Sequence, residues 1–174
     1  MDPVTLAYQK VVMEAAALDH LDFYVSSSSI NTSLRAKNLS TREKDQVAGI
    51  DSLFKPSKID TTLLRTVSDG HSTEEDLKAS KVGDTYRDLG YLSTSKSKAG
   101  IDRVHRDMED SGDVPKHLMH IEVPAGTPIL DVNENLGNHY HANQHEVLLP
   151  RGISLTKTRE YQLDGITHHH FKIT

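Results

Sequence analysis

The 174-residue sequence contains no cysteine. That removes disulfides, thiolate nucleophiles and cysteine-ligated zinc, and it suits a reducing or an oxidising compartment equally well. Aromatic residues make up 5% of the chain and hydrophobic residues 36%, both low, so a broad, loop-rich surface is expected. There is no basic excess: the net charge is -5, which disfavours a nucleic-acid backbone binder but leaves room for a local basic patch. No apolar run approaches the roughly 20 residues of a membrane span. The N-terminus, MDPVTLAYQK, lacks the basic-then-apolar order of a signal peptide. A soluble chain is expected, and one secreted or delivered into a host cell would need another route. The length suits a single domain over residues 1–174.

What is present divides near residue 60. Val4, Leu6, Ala7, Val11, Val12, Ala15, Leu18 and Leu21 follow a nearly helical spacing, and Pro3 suits a first turn. Ile30 and Leu34 share a helical face behind the serine run 26–29, and Ser40 with Glu43 offers a further cap. Beyond residue 60 the period becomes that of strands: 61–67, 91–95, 118–123, 128–132, 143–152, 153–158, 159–163 and 166–174, with an Asp164-Gly165 turn. Residues 96–116 are charged and broken by Gly100, Gly112 and Pro115, and read as helix fragments and loop. Helices before strands mean an α+β protein, with a helical part at 1–59 and a mainly β core at 60–174.

Within the β part, the stretch NQHEVLLPRG at 143–152 places Glu146 at the start of an apolar strand. If the strand begins at Asn143, Gln144 and Glu146 share one face and His145 takes the other. Arg65 inside a strand and Ser93-Thr94-Ser95 at the end of another complete a constellation. Each signal alone has an ordinary explanation, as a sheet-edge arginine, a strand terminator or a solvated glutamate. Eleven histidines raise the possibility of a metal, most of all His139, His141, His145 and the run 168–170. No HExxH pattern exists and no cysteine supports a structural zinc, so no metal is expected.

Taken in order, these motifs resemble the Arg / Ser-Thr-Ser / Gln-x-Glu signature of mono-ADP-ribosyltransferase toxins of the clostridial exoenzyme and binary-toxin type, and of related phage-encoded enzymes. INTSLR at 30–35, TLLRTV at 62–67, YLSTS at 91–95 and QHEVLLPRG at 144–152 carry the likeness. The resemblance implies a split β-sandwich core with an N-terminal helical layer. It implies NAD as a consumed co-substrate, cleaved at the nicotinamide–ribose bond through a transition state in which the sugar becomes cationic.

By this resemblance Glu146 stabilises that charge and Ser93 orients Glu146. Thr94 and Ser95 shape the nicotinamide wall. Arg65 holds the diphosphate and Arg35 makes a second phosphate contact beside Asn31. Backbone groups of Arg65 and Thr66 meet the nicotinamide amide. Gln144 lacks the second carboxylate that could take a guanidinium proton, so a non-arginine side chain of a host protein is the expected acceptor, ahead of nucleic acid. Tyr140, in the His-rich loop 137–143, is the candidate target contact. Arg103 and Arg106 both qualify for the family's arginine after the Ser-Thr-Ser strand. A monomer is expected. The alternatives are an NAD glycohydrolase with water as acceptor, and a non-catalytic binding or virion module of the same fold.

Overall fold

The computed structural model describes residues 1–174. Helix α1 (Pro3–Val25) starts where the Asp2 carboxylate accepts from the backbone N–H groups of Val4 and Thr5, with Pro3 in the first turn. Residues 1–16 are exposed throughout; only Ala17, Leu21 and Tyr24 of this helix are buried. Helix α2 (Ser29–Arg35) buries Ile30 and Leu34, and α3 (Thr41–Asp51) opens with the Ser40–Glu43 capping box that the sequence signals. These three helices form one layer.

Nine strands follow: β1 (Lys55–Pro56), β2 (Thr61–Ser68), β3 (Thr85–Arg87), β4 (Leu92–Ser95), β5 (Pro115–Val123), β6 (Pro128–Asp131), β7 (Glu146–Leu149), β8 (Ser154–Leu163) and β9 (Ile166–Ile173). Three short or medium helices interrupt them: α4 (Glu74–Ala79), α5 (Lys98–Asp110) and α6 (Val132–Leu136). The strand order is β1-β6-β7-β4-β2-β5-β9-β8-β3. The β2–β4 junction is a single residue pair, Leu64 opposite Ser95, whereas β2 and β5 pair along their whole length. The sheet is therefore split into a four-stranded and a five-stranded part that part company at a seam.

Two cores follow from the split. One joins Leu63 and Val67 of β2 to Leu92, Met119, Ile121, Val147, Leu149, Leu155 and Phe171. The other packs Leu21, Ile30, Val47 and Ile50 of the helical layer against Tyr91, Leu130 and Leu148. Burial of such side chains, at about 25 cal/mol per Å² of apolar surface, is what holds both parts together.

Three local expectations are corrected. Residues 98–110 form one continuous helix, because Ile101, Val104, His105 and Met108 fall on one face and the Ser97 side chain caps the first turn. Gly100 does not break it. That glycine is there because a Cβ would stand 2.4 Å from the Gln144 carbonyl oxygen. Secondly, the strand of the Gln-x-Glu motif begins at Glu146 and not at Asn143. Residues Ala142–Gln144 form a 3-10 turn and His145 is left-handed, with φ +49°. The shared-face argument for Gln144 and Glu146 therefore does not hold. Thirdly, Ser154–Leu163 is one bulged strand; it joins β9 through Asp164 and Gly165, both at positive φ, as a primed hairpin turn requires.

Candidate active site

The seam brings three of the singled-out side chains together. Arg65, in the middle of β2, is 8% exposed, and its Nη1 donates to the Ser93 carbonyl oxygen at 3.0 Å. Its Nε has no partner. Ser93, on β4, donates its hydroxyl to Oε2 of Glu146. Glu146 opens β7 and is 9% exposed. Burial raises its pKa above the ordinary carboxylate value, against the opposing pull of the Ser93 hydroxyl and the Arg65 charge. Because β2 and β4 diverge, these groups face a cleft of about 110 Å³. Ile101, Val104 and Met108 of α5 roof it.

The remaining singled-out residues are placed differently. Thr94 lines the cleft, but its hydroxyl donates to the Val147 carbonyl at 2.6 Å, locking β4 to β7. Thr66 shares a 2.5 Å contact with His105 Nε2 of the roof helix, and burial lowers the pKa of that imidazole. Asn31 uses its amide on neighbours: it donates to Tyr24 Oη at 2.9 Å and the Tyr91 carbonyl at 3.2 Å, and accepts from Tyr91 N–H at 2.9 Å. It clasps the entry to β4. Arg35 makes a two-pronged ion pair with Asp88, both contacts at 3.0 Å. Burial would raise the Asp88 pKa, but the hydrogen bonds and charge of Arg35 outweigh it and hold the carboxylate below its usual value. Tyr140 is 94% exposed on its loop.

Gln144 lines the cleft from the 3-10 turn, and its side-chain Nε2 donates to Asp107 Oδ2 at 2.8 Å. Arg103 pairs with the other Asp107 oxygen at 2.9 Å, while Arg106 is exposed; neither arginine lines the cleft. Asp88, His105 and Asp107 escaped the sequence reading. Asp88 sits in a connector with no periodic signal. The other two lie on α5, and a helical reading of Ile101, Val104 and Met108 would have found them.

The histidines form pairs and stacks instead of a metal cage: no group of three His, Asp or Glu side chains is arranged to hold an ion. His117 joins His169 at 2.9 Å and Glu74 at 2.9 Å inside the sheet. On the opposite face His120 meets His168 at 2.9 Å and stacks on His170 with ring centres 4.2 Å apart.

The same arrangement of helices and split sheet recurs in solved structures. Plx2a, an ADP-ribosyltransferase toxin from Paenibacillus larvae, superposes with a TM-score of 0.72 at 19% identity, over 91% of this chain and 86% of that one. C3stau2 from S. aureus, solved with NAD, gives 0.68 at 21% identity over 92% and 87%. The C3 exoenzyme of Clostridium limosum gives 0.68 at 16% identity over 92% and 85%. No curated protein sequence matches. At the level of sequence, the ADP-ribosyltransferase exoenzyme family matches residues 7–170, a span that holds every strand of the split sheet except the end of the last. With the match running through the helical layer, the arginine strand, the serine-threonine-serine strand and the glutamate strand alike, the chain belongs to the ADP-ribosyltransferase exoenzyme family.

Proposed function

We propose that Glu146, Ser93 and Arg65 are the working centre of an NAD-consuming mono-ADP-ribosyltransferase whose acceptor is a non-arginine side chain of a protein. The supporting observation is the seam itself. It holds a buried carboxylate steadied by a hydroxyl, next to a buried guanidinium whose Nε has no partner. That free Nε is a fit for an anionic dinucleotide, since a buried donor without a partner costs about 1–3 kcal/mol until something accepts from it. Bound NAD supplies a glycosidic bond with nicotinamide as leaving group.

The chain's own residues do the rest. Glu146 fixes a negative charge where positive charge grows on the sugar, an interaction stronger at the barrier than before it. Ser93 stops that carboxylate from turning away. Arg65 is anchored by one donor on the Ser93 carbonyl and offers another to phosphate. Thr94 holds the glutamate strand in register, and α5 covers the cleft with Ile101, Val104 and Met108. Arg35 can reach phosphate only by sharing or leaving Asp88, so its contribution is coupled to that pair. Tyr140 is free to touch a protein surface. A secreted or delivered effector matches these roles.

Gln144 sets the acceptor class. An amide takes no proton from a guanidinium, which argues against arginine. Incubation of labelled NAD with cell lysate tests the proposal: label on protein supports transfer, and free ADP-ribose alone would favour the glycohydrolase. Agmatine, a free guanidinium bound in one structure of the relative Vis, is expected to remain unlabelled. Equal nicotinamide release from Glu146→Gln would reject the assignment of Glu146.

A further inference from the structure

A glutamine side chain has two ends of opposite character. Its oxygen accepts hydrogen bonds and its nitrogen donates them. Which end faces the acceptor molecule decides what can dock there. In this protein the nitrogen is taken: Gln144 Nε2 donates to Asp107 Oδ2 at 2.8 Å. A carboxylate only accepts, so it can hold the nitrogen end and not the oxygen end. A flipped amide would set two oxygens against each other at that distance.

The clamp is built at both ends of the contact. Arg103 Nε holds the other Asp107 oxygen at 2.9 Å, one helical turn earlier. Gly100, at the start of the same helix, lets the backbone of Gln144 approach so closely that a Cβ there would sit 2.4 Å from its carbonyl oxygen. Helix α5 thus grips the backbone of Gln144 with its first turn and the side chain with its third. The side chain of Asp107 is 32% exposed, close enough to the cleft to act and shielded enough to hold.

We infer that Asp107 is a positioning residue. By binding the amino end of Gln144 it turns the carbonyl oxygen toward the acceptor, and so selects groups that donate a hydrogen bond; among these a carboxamide or a hydroxyl is favoured over a guanidinium because the amide cannot take the guanidinium proton. This rests on the transferase reading above. It also explains how a Gln-x-Glu pair can be selective when a free amide would accept either polarity.

The test uses the full chain and three variants: Asp107→Ala, Gln144→Ala and the double variant. Labelled NAD with cell lysate measures transfer to protein, and free ADP-ribose measures hydrolysis. Asp107→Ala is expected to lower the ratio of transfer to hydrolysis about tenfold, the size of one positioned hydrogen bond. Because Asp107 acts through Gln144, the double variant should lose no more transfer than Gln144→Ala alone. An unchanged ratio, or losses that add, would overturn the proposal. A second readout is independent of any acceptor: the side-chain NH₂ resonances of Gln144 in an ¹⁵N spectrum, which should move and broaden in Asp107→Ala. Resonances left in place would overturn the positioning role even where transfer changed. If the native chain labels no protein while still releasing nicotinamide, the transferase reading fails, and the spectrum still decides whether Asp107 holds Gln144.

Discussion

The seam between β2 and β4 and the ladder between β5 and β9 both gather ionisable side chains within one sheet, and they treat them in opposite ways. At the seam the strands diverge, and Glu146 is buried against one hydroxyl while Arg65 keeps a donor idle. On the ladder the strands stay paired in parallel from His117 to Glu122, and the groups answer one another. His117 bridges His169 and Glu74; Tyr161 stacks on His168 at 4.8 Å; Arg159 lies 4.7 Å over Tyr161. Burial pushes His120 and His169 down to about 4, so both imidazoles are neutral near pH 7. A shifted titration therefore does not by itself mark chemistry. It does so where the shifted group faces a cleft and its neighbours hold bonding capacity in reserve.

The largest contrast comes from one substitution in each region. Glu146→Gln keeps the shape and removes the charge, and nicotinamide release should fall by about 10²- to 10³-fold with the fold intact. His117→Ala should do the reverse. It leaves Glu74 Oε2 and His169 Nε2 without their partner, and unfolding in urea should show a loss of about 2–4 kcal/mol. Nicotinamide release per folded molecule should be unchanged. A large activity loss in His117→Ala would erase the distinction between the regions.

How much of this was legible in the sequence divides along the same line. Arg65, Ser93 and Glu146 sit on strands whose apolar neighbours announce them, and a motif spaced over 80 residues survives errors in element boundaries. The 3-10 turn at Gln144 was hidden because QHEVLL reads as one run; the left-handed His145 that ends the turn has no local signal of the glycine kind. Helix α5 was masked by glycines that usually end helices. Its Gly100 answers a contact 44 residues away in sequence, which no window can see. Asn31 and Arg35 were legible as residues. Their engagement with Tyr91 and Asp88 depends on tertiary placement alone.

A subtler contrast is in pH. The folded pKa of Glu146 lies above its unfolded value, so its burial costs nothing while the carboxyl is protonated in both states, and costs fully once pH exceeds the folded value. Glu146→Gln should therefore melt above the native chain at pH 7, with the gain shrinking as pH falls toward 4.5. His169 has the opposite sign. Its pKa drops from 6.5 to about 4 on folding, so the unfolded chain takes up the proton first and stability is lost as pH falls through that window. His169→Leu should flatten that acid slope in a series of melting curves. The smallest effect is expected from Arg159→Ala, which removes an exposed cation from the face of Tyr161 and should cost about 0.5–1 kcal/mol in urea unfolding.

Strand β9 lies between β5 and β8, so residues 166–173 enter the interior of the larger part of the sheet after every other strand has been made. Until they arrive, β5 has no neighbour on one side and the pocket for Phe171 stays open. On a ribosome, or in any conduit that threads the polypeptide from its start, the five-stranded part cannot zip shut early.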